Sequence, residues 1–369
     1  MHLRSLRLTN FKNYADVQLE LTEKINVFVG TNGSGKTNLL DAIHYLSLTK
    51  SAFTPSDNYA IRHGEKFFSI KGEFLIHASA NEVFCGVQAG LRKVVRESGT
   101  EYTKLSDHIG RFPVILIAPD DTALVKEGSE LRRRFFDSII SQLDRGYLEA
   151  LIEYSHALKQ RNSLLKMFAE TNTFDSVALD TYDAALQGSG KVIFGKRVEF
   201  VQAYRPIFVK YYRLIVENEP ADLGYSTDLT DTPFEAGLRK NRERDLHLQR
   251  TNFGIHRDDY VFTLGSGDLK RLGSQGQQKS FIIGLKLAQF DILKDRKGIK
   301  PILLLDDIFD KLDDNRIGKL LAMIQNDFFG QLFITDARPD RTAALLHDIN
   351  VSASFYIVKD GVISKNTDL

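Results

Sequence analysis

The order of apolar and polar positions divides the chain into three stretches. Residues 3–9 (Leu-Arg-Ser-Leu-Arg-Leu-Thr) alternate as a half-buried strand does, and residues 15–21 do so less cleanly. Ile25-Asn26-Val27-Phe28-Val29 reads as a buried strand entering a glycine-rich loop, and an apolar-periodic helix follows from about Lys36 to Leu48. Residues 67–103 read as short strands separated by turn signals such as Ser98-Gly99, and Pro113 to Ile117 as another core strand. From about Asp120 to residue 215 the pattern is helical. Ser129 is placed to cap a helix carrying Arg132-Arg133-Arg134. Over 145–169, residues Leu148, Leu151, Ile152, Leu158, Leu164, Leu165 and Phe168 form one helical face. A third helix spans about 176–215, weakened in its middle by Gly188, Gly190 and Gly195. The polar loop from Glu170 to Asp175 joins these two long helices into an antiparallel hairpin. The α/β pattern resumes near Tyr260. The expected plan is an α/β domain made from 1–120 and 259–369, with an inserted, mainly helical domain at 121–258.

Composition narrows the class without naming a function. The chain is 43% hydrophobic and 26% charged over 369 residues, as ordinary globular proteins are. No apolar run approaches a membrane span, and the start of the chain, with Arg4 and Arg7, lacks the apolar core of a signal peptide. Cys85 is alone, which excludes an internal disulfide or a thiolate metal cluster and favours a cytoplasmic setting with no membrane partner. Net charge is +1, with 15 basic and 15 acidic residues in 1–130, 20 and 20 in 131–270, and 14 and 13 in 271–369. Contact with a nucleic acid must therefore come from local patches rather than overall charge.

Gly30-Thr31-Asn32-Gly33-Ser34-Gly35-Lys36-Thr37 fits the phosphate-binding pattern G-x-x-x-x-G-K-[ST] in full, between a buried strand and a helix. The glycines let backbone N–H groups turn around phosphate oxygens at a helix N-terminus that favours anions. Lys36 is expected to reach the β- and γ-phosphates of ATP, and Thr37 to ligate Mg²⁺. Pro301-Ile302-Leu303-Leu304-Leu305-Asp306-Asp307 is an apolar strand ending in two carboxylates, which is costly unless they serve a cation or a water. Asp306 is expected to hold Mg²⁺, and Asp307 to orient or deprotonate the attacking water. Asp306 lies 270 residues beyond Lys36 (306 minus 36), far for a compact P-loop domain, so the insertion is large. The third element is Leu272-Gly273-Ser274-Gln275-Gly276-Gln277-Gln278, before an apolar helix through Ile283, Leu287 and Phe290. Ser274, Gly276 and the amide of Gln277 can meet an anion at that N-terminus, or Ser274 can simply cap the helix.

These three motifs, in this order and split by a helical insertion, resemble the ATPase heads of the ABC and SMC superfamily. The finer pattern is similar to the RecF family of bacterial recombination mediators. It matches that family at Leu8-Thr9-Asn10-Phe11-Lys12-Asn13-Tyr14, at Arg133-Arg134-Phe135-Phe136-Asp137 and from Tyr154 through Lys159-Gln160-Arg161-Asn162 to Lys166. It matches again at Gly254-Ile255-His256-Arg257-Asp258-Asp259 and at Ser274 to Gln278, so the resemblance spans the chain. It departs at Asp310-Lys311-Leu312-Asp313, where only the last two positions fit. It departs also at Thr335-Asp336-Ala337, where an acidic residue could tune or weaken hydrolysis, and no Q-loop glutamine marks the region of Pro119-Asp120-Asp121. The resemblance implies an ATP-dependent homodimer in which each P-loop meets the other copy's Ser274. It also implies binding of gapped, single-stranded or junction DNA, help in loading RecA with RecR and RecO, and a slow DNA-dependent ATPase that serves as a switch. Within the insertion, Arg132-Arg133-Arg134 and the Lys159–Asn162 cluster suit either a structural role or contact with DNA or a partner. His256 with two adjacent Asp residues makes a poor metal site. The alternative is the ATPase subunit of an ABC transporter, but such motors usually carry Leu-Ser-Gly-Gly where this chain has Ser274-Gln275-Gly276-Gln277-Gln278. A coupled nuclease would need a further carboxylate cluster.

Overall fold

A computed structural model describes residues 1–217, 219–309 and 313–366. The divergent loop positions Asp310, Lys311 and Leu312 lie outside the described residues. Along the chain, β1 (His2–Phe11), β2 (Tyr14–Glu20), β3 (Ile25–Val29) and α1 (Lys36–Leu48) lead to β4 (Phe67–Ile76), β5 (Ser79–Gln88), β6 (Val94–Glu97), β7 (Thr100–Glu101) and β8 (Val114–Ile117). Then come α2 (Ala123–Lys126), α3 (Ser129–Leu143), α4 (Arg145–Thr171), α5 (Ser176–Ile215), β9 (Ala221–Ser226), α6 (Phe234–Leu248), β10 (Asp259–Leu264), β11 (Gly267–Asp268) and α7 (Leu269–Leu272). The C-terminal part holds α8 (Gln275–Lys297), β12 (Ile302–Asp306), α9 (Asp314–Gln325), β13 (Leu332–Asp336), α10 (Pro339–Asp348), β14 (Ser354–Lys359) and β15 (Val362–Asn366).

The chain forms two compact units. The first is Met1–Thr122, Leu214–Val216 and Lys279–Leu369; the second is Ala123–Arg213 and Glu217–Gln278. Residues 259–278, assigned from sequence to the ATPase part, thus fall in the second unit. The first unit contains an antiparallel sheet in the order β2-β1-β4-β5-β6-β7 and a mainly parallel sheet in the order β15-β14-β3-β13-β12-β8. Strands β3, β12 and β13 are buried at every position, which is why they read as continuous apolar runs rather than alternations. Helix α1 shares one core with both sheets. Its Leu39, Leu40, Ile43, Tyr45 and Leu46 cluster with Leu3, Leu6 and Leu8 of β1, Phe68 and Phe74 of β4, and Leu304 of β12. A helix covered on both sides is buried almost all round, as this one is, with Asp41 and Ser47 buried beside the apolar residues.

In the second unit α4 and α5 form the expected antiparallel hairpin. Tyr147 pairs with Arg197 near its base, and Arg161 pairs with Asp183 nearer its turn. Gly190 does not interrupt α5; a Cβ there would lie 2.4 Å from the Phe234 ring of α6, so the glycine permits that close approach. Ser129 is not the cap of α3. That place falls to Gly128, while Ser129 Oγ accepts a hydrogen bond from Arg133 at 2.7 Å. Nor is this unit wholly helical, because β9, β10 and β11 form a three-stranded antiparallel sheet.

Each unit holds an imidazole out of bulk water, His108 fully buried and His256 half-buried. His108 Nε2 meets the Leu46 carbonyl at 2.6 Å; the His256 ring bridges Tyr154 OH at 2.8 Å and the Thr251 carbonyl at 3.0 Å. Desolvation lowers both pKa values, that of His256 from 6.5 to about 4. Between those two pH values the unfolded chain binds protons that the folded chain excludes, so stability rises with pH through this window. Thermal melts followed by circular dichroism from pH 7 to pH 4 should show a falling midpoint. Replacing His256 by Gln should flatten part of that slope, and an identical slope would remove His256 as its source.

Candidate nucleotide site

Parallel strands put their chemistry at their carboxyl ends, and here three of them do so side by side. Strand β3 delivers Gly30-Thr31-Asn32-Gly33-Ser34-Gly35-Lys36-Thr37, and β12 delivers Asp306 and Asp307. Between them runs β13, whose Thr335 is in register with Asp306 on one side and Phe28 on the other. Thr335 Oγ1 donates to Asp306 Oδ1 at 2.7 Å, and Thr37 Oγ1 lies 2.9 and 3.0 Å from the two Asp306 oxygens. Two residues 269 apart in sequence are joined by one carboxylate, so the two motifs form a single site. Asp306 is 5% exposed; burial raises its pKa, opposed by the hydrogen bonds from Thr335 and Thr37 and by the charge on Lys36.

The loop itself is tightly constrained. Lys36 Nζ donates to the carbonyls of Gly30 at 2.8 Å and Thr31 at 3.1 Å. Gly35 has φ +116°, and a Cβ there would lie 2.4 Å from Asn13 Nδ2. Asn13 Nδ2 donates to the Ser34 carbonyl at 3.1 Å, and Tyr14 OH donates to the Gly35 carbonyl at 2.9 Å. The Leu8–Tyr14 run therefore ends in a brace under the phosphate loop, a role that no local pattern announces. Ser34 Oγ is buried without a hydrogen-bond partner among the described residues, in a loop whose amides suit an anion.

Asp307 follows β12 with φ +46°, a left-handed conformation that Asp tolerates better than most residues. Its N–H is held by Thr335 Oγ1 at 3.0 Å and by the Thr335 carbonyl at 3.2 Å. With Asn32, Gly33, Gly35, Lys36, Thr37 and Asn38 it lines a cleft of about 230 Å³. One side chain can thus face whatever the phosphate loop holds. Hard oxygens at Thr37 and Asp306 are the donor set that suits Mg²⁺. Asp336, the last residue of β13, has a structural role. It is 1% exposed, and its Oδ1 accepts from the Arg338 N–H at 2.8 Å while Thr342 Oγ1 donates to its Oδ2, fastening the start of α10. The Pro119–Thr122 turn engages Asp121 with the Ala118 N–H and with Lys286, both at 2.8 Å, and leaves Asp120 exposed.

The Ser274 segment belongs to the second unit. Ser274 Oγ accepts from the Gln277 N–H at 3.2 Å, and Gln277 Oε1 accepts from the Ser274 N–H at 2.8 Å. This reciprocal pair is a capping box at the start of α8. Gly276 stands inside that first turn. Within the insertion motifs several side chains turn inward, while Lys159 and Lys166 stay exposed. Arg161, fully buried, donates to Asp183 at 2.6 Å, Asp245 at 2.7 Å and Thr251 at 2.9 Å, and Asn162 accepts from Thr251. Arg132 pairs with Asp259 at 2.7 Å and Arg133 donates to the Asp258 carbonyl at 2.6 Å, whereas Arg134 stays at the surface beside Glu130. Arg197 gathers Asp137, Asp258 and the Ile255 carbonyl. Among the described residues no cluster of His, Cys, Asp and Glu has the makings of a metal site, and no helix is long and apolar enough to cross a membrane.

Residues 2–356 match the family model described as RecF/RecN/SMC N terminal domain. The chain is 47% identical over 347 residues to the DNA replication and repair protein RecF of Flavobacterium johnsoniae, covering 94% of this chain and 97% of that one. It is 44% identical over 367 residues to RecF of Cytophaga hutchinsonii, covering 99% and 97%. Among solved structures it is similar to one described as the recombination mediator protein RecF-ATPrS in the RecFOR pathway, with a TM-score of 0.88 at 28% identity over 99% of this chain and 98% of the other. An Smc head domain from Pyrococcus furiosus, at 18% identity and a TM-score of 0.56 over 99% and 96%, shares the fold. Identity of this order, sustained along almost the full length of its relatives, places the chain in the RecF family of RecF/RecN/SMC ATPases.

Proposed function

We propose that this chain is an ATP-dependent DNA-binding repair protein. In this reading it dimerises on ATP, recognises gapped, single-stranded or junction DNA, and assists RecA loading together with RecR and RecO. The observation that carries it is the cleft where Lys36, Thr37 and Asp307 converge beside Asp306, in a chain of the RecF family. Lys36 Nζ would exchange the Gly30 and Thr31 carbonyls for β- and γ-phosphate oxygens, and the loop amides would hold the rest of the triphosphate. Thr37 and Asp306 would hold Mg²⁺, which neutralises charge on the β- and γ-phosphates. Asp307 would take a proton from the attacking water at a carboxylate oxygen. The γ-phosphate keeps negative charge facing outward, and the segment of Ser274, Gly276 and Gln277 of a second copy meets it at a helix N-terminus, with the Ser274 hydroxyl as donor. A two-fold dimer gives two such sites at once. Hydrolysis is slow and acts as a timer. The transporter reading is set aside, since the relatives compared are replication and repair proteins.

DNA binding should follow the nucleotide. Two copies present two sets of basic residues to one duplex, and each neutralised phosphate releases counterion, steepening the salt dependence. Filter binding on gapped DNA with a non-hydrolysable ATP analogue should be at least about tenfold tighter, and steeper in salt, than with ADP. Lys36→Ala should lose that gain. Equal affinity in the two nucleotide states would overturn nucleotide-dependent DNA binding.

A further inference from the structure

Gln277 owes its orientation to a residue far away in sequence. Its Nε2 donates to Glu219 Oε2 at 3.2 Å, and Tyr212 OH, on a fully buried ring, donates to the same oxygen at 3.2 Å. All four residues, Tyr212, Glu219, Ser274 and Gln277, lie in the second unit. A carboxylate only accepts, so the amide nitrogen of Gln277 must face it and the amide oxygen must face the other way. That other way is the Ser274 N–H, 2.8 Å from Gln277 Oε1. Were the amide reversed, its NH₂ would meet the Ser274 N–H donor to donor, and the capping box would open. With the box closed, Ser274 Oγ already accepts from the Gln277 N–H, so its own hydrogen has to point elsewhere. Ser274 is exposed, and that hydrogen is available to an anion arriving from outside.

We propose that Glu219 is a positioning residue for the Ser274 segment: it sets the Gln277 amide so that the capping box stays closed and the Ser274 hydroxyl is presented as a donor to the γ-phosphate held by a second copy. This rests on the reading of Ser274 as the partner of that phosphate. The charge on Glu219 works against an incoming anion, while its acceptor role works for it, and the two are separable. Gln at 219 keeps an acceptor oxygen for both donors and removes the charge; Ala removes both.

Sedimentation of the full chain with ATP and with ADP, alongside calorimetric titration of ATP into the monomer, tests this. Glu219→Ala should weaken ATP-driven dimerisation roughly tenfold, the lower end for one lost hydrogen bond to a charged group, with monomer affinity for ATP unchanged. Glu219→Gln should restore dimerisation to the parent level or beyond. In a Gln277→Ala background, Glu219→Ala should add no further loss, because its effect passes through that amide. Ser274→Arg is the control for the underlying reading. If it dimerises with ATP as the parent does, the composite site itself is wrong. If Ser274→Arg blocks dimerisation while Glu219→Ala behaves as the parent, or if Glu219→Gln fails to rescue, the role of Glu219 is overturned and the composite site stands.

Discussion

Asp307→Asn should bind ATP as the parent does and hydrolyse it about a hundredfold more slowly, the lower end of what a positioned general base contributes. The substitution is nearly isosteric, and Asn accepts the left-handed backbone that holds this residue at φ +46°. Both hydrogen bonds to Thr335 are made by the backbone N–H and survive. What is lost is a basic oxygen facing the cleft. The parent is itself expected to be slow, because Asp is one methylene shorter than the glutamate common in transporter motors. Misplacement of about 1 Å can cost on the order of a hundredfold. Single-turnover hydrolysis at saturating ATP separates chemistry from binding; a rate equal to the parent's would remove Asp307 from the reaction.

The largest stability effect should come from the second unit. Arg197 is 1% exposed and holds Asp137 at 2.9 Å and Asp258 at 2.8 Å, with Tyr147 OH at 3.1 Å and the Ile255 carbonyl at 2.8 Å. Removing it strands two carboxylates in a low-dielectric interior, and breaking a buried ion pair from one side typically costs about 3–5 kcal/mol. Arg197→Met should destabilise the unit by that amount in urea unfolding followed by helical circular dichroism. Adding Asp137→Asn and Asp258→Asn should recover part of the loss, since an uncharged cluster carries no unpaired charge. A single substitution costing under about 1 kcal/mol would mean that water reaches the cluster.

The phosphate loop and the acidic strand were legible because each is local: eight consecutive positions in one case, an apolar run ending in two carboxylates in the other. The long helices were legible from their period, and α5 begins and ends where the pattern does. Strand β9 and helix α6 were not, since Ala221–Ser226 is short and polar and α6 carries Arg239, Lys240, Arg242 and Arg244 with little apolar periodicity. Partnerships across long separations were equally hidden. Nothing near Thr335 reveals that it bridges to Asp306, and nothing near Asn13 shows that it supports Ser34. That the Asp336 carboxylate fastens a helix start was likewise hidden, since its partners Arg338 and Thr342 give no local sign of it. Arg132, Arg133 and Arg161 read as a choice between surface recognition and structure, and burial among carboxylates and carbonyls decides for structure.

Strand β3 lies between β14 and β13, so both of its neighbours come from the far end of the chain. It ends at Val29, and β13 begins at Leu332, 303 residues later (332 minus 29). At about 5–20 residues per second, a ribosome needs roughly 15–60 s to supply the first of those partners. Through that interval the nascent chain carries Ile25-Asn26-Val27-Phe28-Val29 with neither edge paired, the kind of segment that invites wrong strand pairing. The hairpin of α4 and α5, complete in sequence by residue 215, can form well before then. The phosphate loop is thus among the earliest parts of the molecule to be made and among the last to be assembled, and its yield in a cell should depend on whatever shields nascent chains during translation.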